Sequence, residues 1–281
     1  MLTMRFAIVT PVRNGEALVA ETVASIVQQS AVVTGRHEID YVIQDGASTD
    51  GTVAAATAAA KGLARIDSEP DMSMYDAVAK GFRKVRGDVY FYLNAGDLLL
   101  PGALDLVAEL FESRHPDWLC GFHVFYSPRG QVIGWRLPYR YRRAWIRRGV
   151  YGRGLPFVQQ ESTFWSAEAM ANVDLDELAR FRLAGDHYIW TRLAERSEPL
   201  IVGAALGGFR FHGNHLSEAK NEYRREMATI SGRVSPLTRF LAIGEIPFWI
   251  APNRIKRLFN PRILRFDVRA STWRGANARN P

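Results

Sequence analysis

The sequence predicts an α/β fold, a mainly parallel sheet flanked by helices, followed by a helical, basic C-terminal extension. Three observations lead there. Over the first hundred residues, short β-branched and aromatic runs alternate with segments of helical period. Each run ends in a loop rich in Asp, Asn, Ser, Thr or Gly. After Trp118 the alternation gives way to a hairpin pattern, and beyond Ser217 to helical spacing. Strands alternating with helices of this length imply βαβ units whose sheet is covered on both faces.

The elements follow in order. Residues 5–10 form a β-branched strand ended by Pro11, and residues 15–29 a helix with Leu18, Val23, Ile26 and Val27 as its apolar stripe. Residues 40–44 are a second strand. Asp50 caps an Ala-rich helix that runs to Ala60, and residues 63–67 are a third strand. A helix over 77–85, a strand over 88–93 and a helix over 101–112, with Pro101 in its first turn, complete this half. Residues 119–125 and 131–137 read as strands of a hairpin across Ser127-Pro-Arg-Gly130. Residues 184–195 are helical, and 199–211 hold one or two strands split near Gly207-Gly208. Helices are expected to about Arg233 and over 236–251. The last thirty residues, Arg-rich with little periodicity, read as a tail.

Composition excludes several classes. The chain has 281 residues, 47% hydrophobic and 23% charged, ordinary for a globular protein and wrong for a disordered or fibrous one. Its length suffices for a core without disulfides or structural metal. Cys120 is the only cysteine and reads as a small buried hydrophobe. The apolar run at 6–12 is broken by Arg13-Asn14-Gly15 and lacks a cleavage site, so no signal peptide is expected. The longest apolar stretch, 237–251, already holds Arg239, Glu245 and Pro247, too short and too polar to span a bilayer. A cytoplasmic protein is expected, with a peripheral place at the inner face of the membrane.

In an open α/β sheet, ligands bind beyond the carboxyl ends of the strands. Four loops gather there: Thr10-Pro-Val-Arg-Asn14-Gly, Asp45-Gly-Ala-Ser-Thr-Asp50, Ser68-Glu-Pro-Asp71 leading to Tyr75-Asp76, and Asn94-Ala-Gly-Asp97. Any one of them is an ordinary turn or cap; four at one edge indicate a site. Neither G-x-G-x-x-G after the first strand nor G-x-x-x-x-G-K-[ST] occurs, which disfavours a dinucleotide dehydrogenase and a P-loop phosphotransferase. A diphosphate held without such a cradle needs another source of positive charge, commonly a divalent metal, and Asp97 is the natural carboxylate for it.

The ordered series Phe6-Ala-Ile-Val-Thr-Pro-Val-Arg-Asn14, Asp45-Gly-Ala-Ser-Thr-Asp-Gly-Thr52, Ser68-Glu-Pro-Asp71, Tyr75-Asp-Ala-Val-Ala-Lys-Gly81, Leu93-Asn-Ala-Gly-Asp97, Gln160-Glu-Ser-Thr-Phe-Trp165, Ala184-Gly-Asp-His-Tyr-Ile-Trp190 and Gly208-Phe-Arg-Phe-His-Gly213 resembles family 2 glycosyltransferases of the GT-A fold. The order is similar to the branch that builds bacterial capsular, colanic-type and O-antigen polysaccharides. The resemblance runs from about residue 5 to 217, which implies a GT-A domain over 1–217 and an extension over 218–281. It further implies an inverting transfer from a nucleotide diphosphate sugar, a UDP-sugar first, to a saccharide or lipid-linked acceptor. Pro11, Asn14, Asp45, Asp76 and Asn94 would bind the nucleotide-sugar, with Asp45 accepting from a pyrimidine N–H. Asp97 would bind a divalent metal (Mn or Mg) with His212 nearby, and Asp186 would be the general base. Alternatives of other kinds are a nucleotidyltransferase on a related sheet and a non-catalytic nucleotide-sugar-binding scaffold.

Three positions depart from the family's pattern. Asn94-Ala-Gly leaves Asp97 as the sole carboxylate of a segment that is typically richer in them. Gly46 stands where many members carry a second aspartate, and Ala79 where the branch often carries Asn. Glu161 reads either as an alternative base or as an exposed or salt-bridged glutamate. Arg210 reads as a phosphate contact or an ion pair, both on the acceptor side, and His212 as a metal neighbour or a hydrogen-bonded structural residue. Asp186 itself has a rival reading, as the N-cap of the helix that follows.

Charge is uneven. Residues 1–134 hold 11 Lys and Arg against 16 Asp and Glu, a net of −5, and the remainder holds 25 against 13, a net of +12. In the basic half, Arg136, Arg140, Arg142, Arg143, Arg147, Arg148 and Arg153 interleave with Trp135, Tyr139, Tyr141, Trp145 and Tyr151. No nucleic-acid module surrounds them, and no nucleic-acid partner is expected. An acceptor-side or anionic-membrane surface is the reading taken here, against that of a solvated loop. Residues 237–251 either lie in a membrane interface or pack on the catalytic domain.

Overall fold

The structure is a computed structural model that describes residues 2–211 and 220–275. In chain order it contains β1 (Arg5–Val12), α1 (Glu16–Val27), α2 (Ser30–Val33), β2 (Glu38–Asp45), α3 (Thr52–Ala60), β3 (Arg65–Ser68), α4 (Met74–Lys84), β4 (Val89–Tyr92), β5 (Leu98–Leu99) and α5 (Ala103–Arg114). There follow β6 (Trp118–Cys120), β7 (His123–Tyr126), β8 (Val132–Arg136), α6 (Arg143–Arg147), a 3-10 turn (Gln160–Ser162), β9 (Thr163–Ser166), α7 (Ala167–Met170), α8 (Leu175–Leu178) and α9 (Gly185–Leu193). The remainder is β10 (Leu200–Ile201), β11 (Gly207–Arg210), α10 (Lys220–Ser231), α11 (Pro236–Ile243), α12 (Ile246–Ile250), α13 (Asn253–Phe259), β12 (Arg265–Asp267) and β13 (Thr272–Arg274).

The main sheet has the order β10-β6-β9-β4-β1-β2-β3. Its strands are parallel except β9, which runs antiparallel between β4 and β6. The predicted mixed α/β class therefore holds. Phe6, Ala7, Ile8 and Val9 are all fully buried, as a central strand covered on both faces requires. The chain steps outward from β1 to β3 and then crosses back to β4, so the order reverses between β1 and β4. That reversal opens the crevice where ligands bind in such sheets. By the right-handed crossover rule α1 and α3 cover one face and α4 the other. A second sheet, β5-β11-β7-β8, closes over the carboxyl end of β4.

Four sequence expectations are corrected. The single strand expected over 119–125 is two strands in two sheets, parted at Gly121-Phe122, where the chain leaves the main sheet to pair with β11. The helix expected over 236–251 breaks at Gly244-Glu245 into α11 and α12. The expected tail contains α13 and the β12–β13 hairpin. The hairpin is anchored by buried Trp273, whose carbonyl accepts from Arg114 at 2.6 Å, and by Leu264, which bridges to Val202 beyond β10. Finally, Gly51 rather than Asp50 occupies the cap position of α3; Asp50 accepts from Thr52 N at 3.1 Å one residue earlier.

The basic aromatic segment also differs from its sequence reading. Tyr139, Tyr141 and Tyr151 are buried, with Tyr141 and Tyr151 packed on Trp249 and Tyr139 stacked on Phe248 at 5.0 Å. Arg140 pairs with Glu198 and Arg142 with Glu245. Arg143 donates to the carbonyls of Ala194 and Glu195. The three tyrosine rings turn inward and join the C-terminal helices to the sheet domain, whereas Trp135 stays 68% exposed.

Candidate active site

Register brings the strand-end loops together. Val12 of β1 lies opposite Asp45 of β2, and Asp45 opposite Ser68 of β3. Pro11 sits buried at this edge. Asn14, just past β1, takes a left-handed backbone (φ 50°) and ties two loops: its N–H donates to Ser48 Oγ at 2.8 Å and its Oδ1 accepts from Thr49 N at 2.9 Å. Asp45 is fully buried and accepts from Ser48 N at 2.9 Å, Ser48 Oγ, and Ser68 Oγ at 2.6 Å. It therefore organises the loops it was expected to serve.

A Cβ on Gly46 would fall 2.0 Å from Asp71 Oδ2. The carboxylate of Asp71 fills the space that an aspartate at 46 would need, which gives the departure at Gly46 a physical meaning. Burial pushes the Asp71 carboxyl above its ordinary value, Arg13 and Lys80 pull it down, and Asp76 and Asp45 add to the rise. Asp76, in the first turn of α4, is buried, accepts from Met72 N at 2.9 Å and pairs with Lys80 at 3.0 Å. Ser73 caps that helix through the Asp76 N–H at 3.1 Å.

The second half of the site lies beyond β4. Asn94 to Asp97 is a tight turn, Asp97 N donating to Asn94 O at 3.0 Å. Thr22 holds it from α1 by accepting from Gly96 N and donating to Asp97 O, both at 2.8 Å. Asp97 is 4% exposed and its Oδ1 accepts from Arg210 N at 3.0 Å. Burial raises its carboxyl to about 7 against the pull of Arg210, Asn94 and Glu161. Glu161 lies in the 3-10 turn, pinned by Gln160, whose Nε2 donates to Tyr92 O, and by Gln159, which bonds both backbone groups of Val124 at 2.9 Å. It is 7% exposed, and burial together with Asp97 and Asp186 pushes its carboxyl far up. The reading of Glu161 as exposed or salt-bridged is corrected: it shares a desolvated pocket with Asp97.

Asp186 is the second residue of α9. Ala184 holds the cap position without a side-chain bond, so the N-cap reading fails; the Asp186 carboxylate instead accepts from His187 N at 2.7 Å. Tyr223 of α10 donates to it at 3.1 Å, and Tyr75 of α4 bonds it as well. A Cβ on Gly185 would sit 2.3 Å from the Tyr75 ring, so glycine at that position is what lets the phenol reach. Despite these donors and the helix N-terminus, burial lifts Asp186 to about 6. α10 also seats Glu226, which accepts from Arg182 N (2.9 Å), Leu183 N (2.7 Å) and Ala184 N (2.6 Å), and Ser231, which meets His187 Nε2 at 2.6 Å.

Arg210 is 3% exposed, and its guanidinium pairs with Glu21 of α1, which realises its ion-pair reading. His212 lies outside the described residues. Sequence reasoning placed Asp71 and Tyr75 in a strand-end loop of the site without giving either a role, and it missed Tyr223, which carried no signal.

The donor set at Asp97 suits a hard divalent cation. Asp97 and Glu161 offer carboxylate oxygens, and Asn94 Oδ1 is buried with no hydrogen-bond partner among the described residues. Among those residues no cluster of three or more His, Cys, Asp or Glu is placed to hold a metal, so a cation here would take part of its shell from diphosphate and water. A separate cavity of about 480 Å³, lined by Arg114, Asp117, Arg140, Glu198 and Arg262 among others, opens at the amino ends of β6 and β10, away from this chemistry.

The family model described as "Glycosyl transferase family 2" matches residues 7–171, more than half of the chain. The chain belongs to glycosyl transferase family 2. Two curated family relatives, uncharacterized glycosyltransferases of Mycobacterium tuberculosis strains CDC 1551 and H37Rv, are each 26% identical over 179 residues. Those matches cover 62% of this chain and 64% of each relative, so the chain spans less than two thirds of their length. Among solved structures, S. aureus TarS 1-349 in complex with UDP-GlcNAc is similar with a TM-score of 0.56 and 16% identity, covering 90% of this chain and 69% of that one. The mannosyltransferase PcManGT of Pyrobaculum calidifontis, in complex with GDP-Man and Mn2+, gives 0.55 and 16% over 88% and 70%. M. tuberculosis glucosyl-3-phosphoglycerate synthase gives 0.53 and 17% over 83% and 82%. At these identities the likeness is one of fold, and it matches the GT-A arrangement expected of family 2.

Proposed function

We propose that this family 2 chain transfers one sugar, with inversion, from a nucleotide diphosphate donor, a UDP-sugar, to a saccharide or lipid-linked acceptor in bacterial surface polysaccharide synthesis. The observation that carries the reading is the convergence of Asp97, Glu161 and Asp186 at the crevice beside β4, with Asp186 lifted to about 6 and held by two phenols. A carboxylate tuned towards neutrality is the base an acceptor hydroxyl needs. As the acceptor oxygen bonds to the anomeric carbon, its proton passes to Asp186 and the bond to the diphosphate oxygen breaks on the opposite side.

Asn14, Pro11 and the Asp45 loop form the nucleotide end, with Asp71 joining them above Gly46. Asp76, paired with Lys80 in the first turns of α4, takes the donor sugar or ribose. A divalent cation, Mn2+ or Mg2+, held by Asp97 with Asn94 and Glu161, would supply Lewis-acid stabilisation of the leaving diphosphate. Residues 1–217 carry the donor loops and the base, and 218–281 add Tyr223.

The test is Asp186→Asn, measured by UDP release over a donor and acceptor panel. Turnover should fall by about 10²–10⁴-fold with donor affinity preserved. Since ionised Asp186 is the active form, the wild-type rate should decline below about pH 6. Near-normal turnover in the variant would move the base elsewhere, with Glu161 next in line.

A further inference from the structure

α11, α12 and α13 are amphipathic the wrong way round. Their inward faces bury Thr238, Glu245 and Lys256 beside Ala242 and Trp249. Their outward faces carry Leu237, Phe240, Ile243, Ile250 and Leu258, from 61% exposed at Ile243 to 75% at Ile250 and Leu258. Helices that only packed on the sheet domain would turn these side chains in. The orientation is fixed: Glu245 accepts from Arg142 Nε at 2.6 Å, Lys256 Nζ donates to Leu137 O at 2.7 Å, and Asn260 Nδ2 donates to Tyr139 O at 2.6 Å. The helices are joined by the two-residue links Gly244-Glu245 and Ala251-Pro252, and Phe248 meets Phe259 at 5.0 Å, which ties α12 to α13.

Charge selects the occupant. From Gly232 to Leu264 the only acidic residue is Glu245, and it is buried, whereas Arg233, Arg239, Arg254 and Arg262 are exposed. The outward residues are Leu, Ile and Phe flanked by Arg, the composition of a helix face that lies in a membrane interface. No helix among the described residues is long and apolar enough to cross a membrane. We propose that this face seats the chain on an anionic lipid bilayer, the aliphatic and Phe side chains entering the headgroup–acyl boundary and the arginines meeting lipid phosphates. This docking is independent of the transfer chemistry and involves no residue placed in the site.

Co-sedimentation of the full chain with phosphatidylglycerol-containing and pure phosphatidylcholine vesicles tests it. Binding should require the anionic lipid and weaken with salt. The triple substitution Phe240→Ser, Ile250→Ser, Leu258→Ser should lower affinity by at least about tenfold. Replacing Arg233, Arg239 and Arg254 by Gln should lower it by about a hundredfold and flatten the salt dependence. Both sets lie at the surface, so melting temperature and UDP-sugar binding by thermal shift should be unchanged, which separates failure of docking from failure of the transferase reading. Absence of vesicle binding, equal binding to both lipids, or indifference to the apolar substitutions overturns the proposal. So does a dimer, seen by light scattering without lipid, that the apolar triple dissociates.

Discussion

Asp186 stands at a helix N-terminus with three hydrogen-bond donors, conditions that ordinarily lower a carboxyl, yet burial carries it the other way to about 6. The donors set how far it rises. Tyr223→Phe removes one of them at the cost of a ring edge facing a carboxylate, so the Asp186 carboxyl should climb further. The acid limb of the pH–rate profile should then move to higher pH, with a stability loss of about 0.5–1.5 kcal/mol. A profile unmoved along the pH axis would show that the phenol has no say over the base. The residue scale is also where the sequence was least legible. Asp186, Asp97 and Asp45 were visible because each follows a strand or opens a helix within an ordered series of motifs. Tyr75 was visible only as a member of its motif and Tyr223 not at all, since their meaning comes from meeting Asp186 across three helices.

Among elements, α10 changes the picture most. Its Tyr223, Glu226 and Ser231 recur at helical spacing and face α9 and the segment that leads into it, while Met227 packs beside Gly152. Glu226 gathers three backbone N–H groups just ahead of the base, the role a capping side chain plays within one helix, here supplied by another. Glu226→Ala should therefore destabilise the fold by about 1.5–3 kcal/mol, seen as a lower denaturation midpoint, and slow transfer more than donor binding. Unaltered kinetics would mean α9 keeps its place without that clamp. The βαβ elements of the first hundred residues were readable from period alone, because a sheet buried on both faces leaves apolar runs. The parting of 119–125 between two sheets and the C-terminal hairpin were not. Each depends on a distant partner, β11 for the one and the strand end at Val202 for the other.

Across the whole molecule, carboxyl groups crowd a desolvated crevice, and the folded state carries that strain. Asp97 rises to about 7, so between its unfolded value near 3.8 and that point the folded chain binds more protons than the unfolded one. Its contribution to stability thus falls as pH rises through the window. Relative to wild type, Asp97→Asn should gain thermal stability steadily from pH 4 to pH 8. At pH 8, Mn2+ should add to the stabilisation that UDP alone gives the wild type and add nothing in the variant. A constant gap between the two proteins would show that Asp97 is not raised in the fold, and an equal Mn2+ response would remove it from the metal role. The order of the sheet has a consequence of another kind. β1 to β4, adjacent in the main sheet, come from the first third of the chain and hold every nucleotide loop, whereas β9 must enter later between β4 and β6, with α9 and α10 after it. Synthesis from the amino end therefore releases the donor cradle from the ribosome well before the base and its clamp, so a nascent chain gains its donor loops before it gains the means to react.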